Sequence, residues 1–174
     1  MNIEIAVIPS SELTDSQKIA LTELLHLAYE GDFSTEDFDH CLGGMHFLAE
    51  ADSRLVGHGS VVHRKLWING NLYSCGYLEA MGTHPELQRQ GIGSQLLRSI
   101  NDYIRGNFEL GALSTDEFNF YGAQGWQRWE GPSFVLVDGE LQRSADEDES
   151  IMVLNYDGPR DLSIAVEDRA GDPW

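Results

Sequence analysis

Residues 81–97 read "MGTHPELQRQGIGSQLL", and their segment "QRQGIG" places two glycines just before an apolar helical pattern. Apolar residues recur at helical intervals from Ile92 through Tyr103, which predicts a helix that Gly106 ends. Glycines let a backbone approach a ligand closely, and the N–H groups at a helix N-terminus attract anions. These six residues by themselves fit an anion-binding loop or a bare tight turn equally well.

Two common nucleotide-binding fingerprints do not describe this segment. The Rossmann pattern fails because the spacing is Q-x-x-G-x-G and the preceding strand is expected within antiparallel hairpins. The Walker pattern fails because no Gly-Lys-Ser/Thr follows the loop. Any anion held here is therefore bound by a different type of loop.

The chain before this stretch predicts two helices. Thr14 and Gln17 have the spacing of a capping box, and the apolar residues that follow predict an amphipathic helix over about residues 15–29. After an acidic turn we expect a second, shorter helix that contains Phe38 and Leu42. The two helices precede all the strands that the pattern predicts.

The remaining segments read mainly as strands in one domain over residues 1–174. "MHFLAEA" and "RLVGHGSVVHRKLWI" are followed by Asn69-Gly70, a strong hairpin signal, and by "LYSCGYLEAMGT". "DEFNFYGAQGW" predicts a short helix. Further strands are expected at "LGALST", "WQRWEG", "FVLVDG", "IMVLNY" and "LSIAV". The acidic run from Asp146 to Glu149 is expected to be a solvated loop.

The charge balance limits the possible partners. With 29 acidic and 11 basic residues the formal net charge is −18, which excludes nucleic acid as a partner because phosphates require the opposite sign. The acidic surface either serves solubility or steers a cation towards the protein. No apolar run approaches a membrane span and the first residues do not resemble a signal peptide, so we expect no membrane association and a cytoplasmic location.

Neither the cysteines nor the histidines predict a site of their own. Cys41 and Cys75 are not arranged as a CxxC pair, and we expect both to be reduced and buried. The histidines lack metal-ligand spacing, so no metal is expected, and His84 is expected to lie in a loop.

With its surroundings, "THPELQRQGIGSQLL" resembles the Gcn5-related N-acetyltransferase (GNAT) superfamily, in which a Q/R-x-x-G-x-G/A loop holds the pyrophosphate of acetyl-CoA. The resemblance implies an α/β (α+β) GNAT fold. Its sheet is mixed but mostly antiparallel, is flanked by helices, and has a splayed parallel strand pair that holds the coenzyme. The predicted order of elements agrees with that fold.

A narrower resemblance, to the aminoglycoside 2′-N-acetyltransferases, extends over nearly the whole chain. It rests on short motifs in the same order: "EGDFSTEDFDHCLGGMH", "CGYLEAMG", "LGALST", "FYGAQGWQRWEGP", "ADEDES" and "RAGDPW". It implies transfer of acetyl from acetyl-CoA directly to the 2′-amine of aminoglycoside antibiotics, hence antibiotic resistance. The wider resemblance to the superfamily, whose members commonly pair through late strands, implies a homodimer.

The resemblance assigns coenzyme contacts to one continuous segment. The backbone N–H of Met81 matches the group that polarises the thioester carbonyl. The expected acetyl-CoA contacts are Met81, Thr83, Gln88, Arg89, Gln90, Gly91, Ile92, Gly93 and Ser94.

Glu79 and Tyr121 match the acid–base residues of the family. Glu79 corresponds to the general base, acting through water, or alternatively to a partner for substrate ammonium groups. Strand alternation predicts that its side chain shares a face with that of Met81. Tyr121 corresponds to the acid that protonates the departing thiolate, and the alternative is a core aromatic beside Phe118 and Phe120.

The resemblance also assigns the contacts to a polycationic substrate. These are Asp32, Asp37, Glu79, Ser114, Glu147, Asp172 and Trp174, the last through its ring and terminal carboxylate. Glu147 stands where aspartate is common, and Asp146, Asp148 or Glu149 could take its role. Three alternatives stay open: another cationic amine as substrate, a noncatalytic module that binds cationic drugs or acyl-CoA, and a covalent intermediate on Cys75.

Overall fold

Two long strands, β3 (Arg54–Ile68) and β4 (Asn71–Thr83), form a hairpin through Asn69-Gly70. Both turn residues have positive φ, 47° and 79°, as the tight hairpin turn that this dipeptide predicts requires. The computed structural model of the chain describes residues 2–174.

The other elements agree in order with the sequence pattern. The remaining strands are β1 (Glu4–Pro9), β2 (Met45–Ala51), β5 (Leu110–Ser114), β6 (Gln127–Arg128), β7 (Ser133–Val137), β8 (Glu140–Arg143), β9 (Ile151–Leu154) and β10 (Ile164–Glu167). The helices are α1 (Asp15–Ala28), α2 (Thr35–Cys41), α3 (Ile92–Asn107) and α4 (Phe118–Gly122). Short 3₁₀ turns occupy Ser10–Glu12, Pro85–Leu87 and Ala145–Glu147.

Contacts divide the chain into two compact units. The first unit consists of the chain up to Val62 together with Leu78–Asp102, and the second of His63–Tyr77 together with Tyr103–Trp174. Each of the two long strands, β3 and β4, is therefore divided between the two units. The single domain over residues 1–174 stays a prediction from sequence.

In the first unit, β1, β2 and β3 pair antiparallel in that order. The capping box at Thr14 forms as predicted: its hydroxyl accepts from the N–H of Gln17, whose side chain accepts from the N–H of Thr14. Leu21 buries one face of α1 against Leu13 and Leu48. The predicted first helix is confirmed.

Helix α3 packs closely on β3 within the first unit. A Cβ on Gly59 would lie 2.7 Å from Cδ1 of Ile100, and one on Gly57 would lie 2.8 Å from Cδ1 of Leu96. A side chain on either glycine would force the ends of these Ile and Leu side chains to shift, so the glycines allow the helix that follows the loop to approach the strand. The loop is thus followed by a helix with a buried inner face.

In the second unit the strands follow the order β6-β9-β5-β4-β3-β10-β7-β8. Strand β4 pairs parallel with β5, and β10 pairs parallel with β7. Antiparallel pairs include β5 with β9, β3 with β10 and β7 with β8. The mixed, mostly antiparallel sheet flanked by helices is therefore confirmed. The parallel ladder ends where Tyr77 faces Ala112, although β4 continues to Thr83.

Several details differ from the prediction. Strand β1 was not expected, nor was β8, although Asp138-Gly139 before it has positive φ at both residues and is a typical hairpin dipeptide. Leu42 follows α2 instead of lying in it. Gly106 lies inside α3, which ends one residue later, and the N–H of Phe108 donates to the carbonyl oxygen of Ile104 across it.

Within residues 2–174, no helix is long and apolar enough to cross a lipid bilayer.

Candidate active site

The second half of β4 contains a backbone irregularity between two predicted catalytic residues. Ala80, between Glu79 and Met81, has φ +50°, a left-handed conformation that is uncommon for a residue with a Cβ. Its carbonyl oxygen accepts a hydrogen bond from His58, with Nδ1 2.8 Å away. A strand residue in this conformation interrupts the regular alternation of side chains.

The interruption changes which side chains share a face. A Cβ on Gly59 would have both Leu78 and Met81 as neighbours, so these two residues, three apart, lie on the α3 side of β4. A Cβ on Gly82 would instead contact Ala28 of α1. In a regular strand, positions three apart point to opposite faces. The expectation that Glu79 and Met81 share a face is therefore wrong, because the bulge at Ala80 adds a residue between them.

Glu79 lies on the α1 side, near Tyr29. Although 38% of Tyr29 is exposed, burial of its hydroxyl, then the charges of Glu79 and Asp37, raise the pKa of the phenol to about 12. That hydroxyl donates to the carbonyl oxygen of Met81, 3.1 Å away. Tyr29 thus connects α1 to the backbone of a predicted catalytic residue, a role that sequence reasoning missed.

Cys41 also lies near Glu79, and its environment keeps the thiol protonated. Burial, and then the charge of Glu79, raise the pKa of Cys41 to about 12. Cys75 of the second unit is fully buried, and burial raises its pKa as well. Both thiols are free, so the prediction of reduced, buried cysteines is confirmed. Because the thiolate is the nucleophile, these environments disfavour a covalent intermediate on Cys75.

The predicted coenzyme loop connects β4 to α3 in the first unit. Residues 88–91 are exposed, Arg89 has φ +60° and Gly91 has φ +86°. A Cβ on Gly91 would meet nothing within 4 Å, so glycine is favoured there by backbone conformation and not by crowding. His84 lies in the connection before the loop, as predicted.

The start of α3 is suited to an anion. The helix begins at Ile92 and its first turn contains no acidic side chain, so nothing there neutralises the positive end of the helix dipole. Gly93 and Ser94 belong to that first turn, and Thr83 is the last residue of β4. The structure therefore brings the predicted coenzyme residues 81–94 together along one short path.

Asp32 and Asp37 flank the start of α2. Asp32 is exposed. Asp37 accepts hydrogen bonds from the N–H and the hydroxyl of Ser34, each 2.7 Å away, and so completes a capping box for α2. Its charge also acts on Tyr29, as the charge of Glu79 does. Asp37 therefore has a structural role that sequence reasoning did not assign.

Tyr121 of the second unit is held in an aromatic cluster. It is 8% exposed, and its ring packs edge-on against Phe120 and Trp126 at centroid distances of 5.0 Å and 6.0 Å. Phe118 lies instead under the guanidinium of Arg128. The cluster fixes the ring at the C-terminal end of α4, which agrees with either interpretation of Tyr121.

Three of the predicted substrate residues meet in the second unit. The hydroxyl of Ser114, the last residue of β5, donates to Oε2 of Glu147 at 2.9 Å. Burial and the charges of Asp172 and Asp146 raise the pKa of Glu147, against the opposing effect of the Ser114 hydrogen bond. Carboxylates that repel one another in this way favour binding of a cation between them.

The neighbouring Asp148 interacts with other residues of the protein. It forms an ion pair with Arg143 and accepts from the N–H and hydroxyl of Ser133, both 2.8 Å away. The Arg143 hydrogen bond holds the pKa of Asp148 well below its usual range. Of this acidic run, Glu147 is therefore better placed than Asp148 to receive a cation. The run is not simply a solvated loop, because both residues have specific partners.

Trp174 is anchored to the same network. It is 4% exposed, and its Nε1–H donates to the hydroxyl of Ser144, which donates to the hydroxyl of Ser133, each at 3.0 Å. Its N–H donates to Oδ1 of Asp172 at 3.0 Å. The structure thus links Trp174 to Asp172 directly and to Asp148 of the acidic run through Ser144 and Ser133.

A buried arginine that sequence reasoning missed holds the segment before Trp174. Arg64 is 4% exposed, donates to the carbonyl oxygens of Pro173 and Glu167, both at 2.6 Å, and lies over the ring of Tyr77. The alternation of β3 indicates a buried position there, but no sequence signal identifies carbonyl groups more than a hundred residues away as its partners.

Among residues 2–174, no group of three or more His, Cys, Asp or Glu side chains is arranged to hold a metal ion.

Comparison with known proteins places this chain in a family. The family described as "Acetyltransferase (GNAT) domain" matches residues 11–129. An aminoglycoside 2′-N-acetyltransferase of Mycolicibacterium fortuitum is 31% identical over 176 residues, which cover 97% of this chain and 90% of that protein.

Solved structures of low identity share the fold. A GNAT family acetyltransferase from Brucella melitensis, in complex with acetyl-CoA, has a TM-score of 0.64 at 17% identity, over 96% of this chain and 97% of that one. Eis1 from Mycobacterium abscessus has a TM-score of 0.63 at 17% identity, over 75% of this chain. The match spans 32% of Eis1, about a third of its length. The chain belongs to the GNAT family of acetyltransferases.

Proposed function

We propose that this acetyltransferase uses acetyl-CoA to acetylate the 2′-amine of aminoglycoside antibiotics. The observation that carries the proposal is the 31% identity, over 97% of the chain, to an enzyme named for this reaction. The carboxylates near Trp174 support it, since an aminoglycoside carries several ammonium groups. Homodimerisation, a cytoplasmic location and a contribution to antibiotic resistance belong to the same proposal.

The loop and the start of α3 fit the pyrophosphate of the coenzyme. The backbone at residues 88–91 is exposed, and the positive φ of Arg89 and Gly91 shapes the turn that precedes the helix. In this assignment the N–H groups from Gln88 to Ser94 bind the phosphates, and Thr83 contacts the adjoining part of the coenzyme. When bound, acetyl-CoA supplies the acetyl group as a thioester.

Three groups of this chain would carry the chemistry. Glu79 accepts a proton from the substrate ammonium through a water molecule, so that the neutral amine can attack. The N–H of Met81 donates to the thioester carbonyl oxygen as negative charge develops there. Tyr121 donates its phenolic proton to the departing thiolate, and the second proton of the attacking nitrogen, lost as the amide forms, restores the phenol through solvent. Direct transfer is favoured over a Cys75 intermediate because burial keeps that thiol protonated.

Acidic, hydroxyl and aromatic side chains would bind the substrate. Asp32, Asp37, Glu79, Glu147 and Asp172 would supply negative charge. Ser114 would supply a hydroxyl group that holds Glu147, and Trp174, held by hydrogen bonds to Ser144 and Asp172, would supply its ring. Each charged contact with an ammonium group is a charge-assisted hydrogen bond and also fixes substrate orientation.

A matched pair of substrates tests the proposal. Steady-state coenzyme release should be observed with kanamycin B, which has a 2′-amine, and not with kanamycin A, which has a hydroxyl group there. Equal turnover of both would exclude the proposed position of transfer.

Two other outcomes would identify a different function. Turnover of a polyamine with none of any aminoglycoside would indicate another cationic amine as the substrate, which the acidic clusters would also suit. Tight aminoglycoside binding by calorimetry, without any coenzyme release, would indicate a noncatalytic drug-binding module.

A further inference from the structure

A pair of buried histidines lies beneath the bulge of β4, entirely within the first unit. His46 on β2 and His58 on β3 are both 0% exposed, and Nδ1 of His46 is 3.0 Å from Nε2 of His58. Nδ1 of His58 is 2.8 Å from the carbonyl oxygen of Ala80. At the other end, Nε2 of His46 is 2.7 Å from the hydroxyl of Ser10. These four residues form one hydrogen-bonded chain.

The partners determine the direction of that chain. A carbonyl oxygen can only accept, so Nδ1 of His58 must carry the proton that bonds to Ala80. In a neutral imidazole Nε2 is then an acceptor, so Nδ1 of His46 carries the proton between the rings. The opposite tautomers would place a nitrogen lone pair of His58 against the Ala80 oxygen at 2.8 Å.

The environment keeps both rings neutral. Burial lowers the pKa of His46 to about 4. Burial, and then the neighbouring His46, lower the pKa of His58 to about 3, against the opposing effect of the Ala80 hydrogen bond. Both values are well below neutrality, so one fixed pair of tautomers is expected under assay conditions.

The hydrogen-bonded chain cannot transport protons, because it ends at the carbonyl oxygen of Ala80. A backbone carbonyl has no exchangeable proton to pass on, so a proton that reached His58 could go no further through Ala80. The chain can instead fix a position. Ala80 is held at φ +50°, and the bulge sets Glu79 and Met81 on different faces of β4. Such a conformation is strained and persists only where its surroundings hold it.

We propose that His58, held in one tautomer by His46 and Ser10, is a positioning residue for acetyl transfer that fixes the Ala80 bulge through its hydrogen bond to the Ala80 carbonyl. The proposal rests on the proposed roles of Glu79 and the Met81 N–H. No catalytic proton passes through the histidines.

The first test uses the wild-type protein and needs no substrate. Nitrogen-15 NMR of the histidine side chains at about pH 7.5 should show His58 and His46 as neutral tautomers protonated at Nδ1. A His58 protonated at Nε2, or charged, would overturn the proposal. This result does not depend on whether any variant folds.

The second test separates positioning from overall stability. In His58→Leu, kcat per coenzyme-binding site, counted by calorimetry with CoA, should fall about 10-fold to 100-fold, because small displacements of catalytic groups have effects of this size. The Kd for CoA should stay within about 2-fold, since the loop is not altered. His58→Asn, whose amide N–H can replace the Nδ1 donor, should recover kcat to within about 3-fold of wild type.

His63 supplies the matched control. It lies on the same strand but is exposed, and its ring contacts Ser74 and Phe108. His63→Leu should leave kcat unchanged. If His58→Leu lowers only the number of CoA-binding sites and leaves kcat per site at the wild-type value, the histidine pair is purely structural and the proposal is overturned.

A third measurement distinguishes failure of this proposal from failure of the proposed substrate. The backbone amide signal of Met81 should shift differently on addition of acetyl-CoA and of CoA, and His58→Leu should abolish that difference while His63→Leu retains it. This measurement requires no amine substrate. If no aminoglycoside is acetylated, the proposed function fails, whereas retention of the difference in His58→Leu overturns the positioning role.

Discussion

The proposed coenzyme-binding residues and the proposed substrate-binding residues of the second unit are constructed in different ways. The former lie within residues 81–94, and their geometry depends on backbone conformation at the adjoining Ala80 and at Arg89 and Gly91. The latter come from three separate segments and are held by hydrogen bonds to side chains, from the Ser114 hydroxyl to Glu147 and from the Trp174 N–H to Asp172.

This difference predicts different responses to substitution. A site formed by backbone groups tolerates changes of side chain unless the change alters φ or ψ. A site formed by side chains responds to the loss of individual oxygen and nitrogen atoms.

Glu79→Gln tests the proposed general base. Glu79 is a side chain that precedes the coenzyme-binding segment, and we assign proton transfer to it. Turnover should fall by about 100-fold at about pH 6, because loss of a general base typically has at least this effect. The loss should be smaller at about pH 9, where free amine is more abundant. The measurement is kcat/KM for kanamycin B across this pH range, with Glu50→Gln, an exposed strand residue, as control. A loss independent of pH would identify Glu79 as a substrate-binding residue.

Gly91→Val tests the coenzyme-binding loop, whose geometry depends on backbone conformation. A branched residue at φ +86° is strained, and the cost of about 1–3 kcal/mol should weaken acetyl-CoA binding roughly 10-fold to 100-fold. Gly139→Val is the matched control, because Gly139 has φ +85° and equally open surroundings but lies in the β7–β8 turn. Calorimetry should show weaker binding in the first variant only. Equal Kd values in both variants would show that the loop does not bind the coenzyme.

Removal of Trp174 tests the substrate site that is formed by side chains. The aminoglycoside KM should rise about 10-fold through loss of the ring, while the Kd for acetyl-CoA stays nearly unchanged. Ser144→Ala keeps the ring but removes its Nε1–H partner, so KM should rise only about 3-fold. Loss of coenzyme affinity in either variant would contradict the separation of the two binding functions.

Exchange of single acidic residues determines which carboxylate of this substrate site binds the aminoglycoside. Glu147→Gln should raise the aminoglycoside KM about 5-fold, as expected for loss of one charged contact. Asp148→Asn should leave KM nearly unchanged and lower the Tm, because Asp148 pairs with Arg143 and Ser133. Kinetics and thermal unfolding of both variants decide the assignment. The reverse pattern would make Asp148 the substrate contact.

The smallest effect concerns acid stability. His46 and His58 have pKa values below the ordinary 6.5, so they bind fewer protons in the folded state than in the unfolded state. Their contribution is present above about pH 6.5 and is lost as the pH falls towards about 4. The lowered pKa of Asp148 preserves its contribution until the pH falls below the ordinary value of about 3.8.

Hydrogen exchange can resolve these two effects. Between about pH 7 and pH 5, protection factors in β2 and β3 should fall about 10-fold, and those in β7 and β8 should change little. An equal fall in all four strands would contradict the assignment of acid sensitivity to the histidine pair.

Sequence patterns predicted most of the fold because its strongest signals are local. The capping box at Thr14, the turn at Asn69-Gly70 and the loop that ends at Gly91 each depend on a few adjacent residues. Strand β8 was missed because the Asp138-Gly139 signal was not followed beyond the turn. The bulge at Ala80 has no local signal, since alanine does not ordinarily adopt positive φ.

The missed site residues depend on contacts between distant segments. His46 and His58 lie diagonally across the β2–β3 hairpin, so the turn at Asp52-Ser53 could have indicated their approach. Nothing local pairs Arg64 with the carbonyl of Pro173, or Tyr29 with that of Met81. Sequence motifs identified candidate residues, but the structure was needed to show which of them are already engaged, as Asp148 and Asp37 are.

The proposed function requires transfer of acetyl to a defined amine of an aminoglycoside. Its most direct test is fragmentation mass spectrometry of the products formed from acetyl-CoA and a panel that includes kanamycin B and gentamicin. We expect a single acetyl group on the 2′-nitrogen of each product. Acetylation at another nitrogen, or unmodified aminoglycosides alongside an acetylated polyamine, would contradict the account.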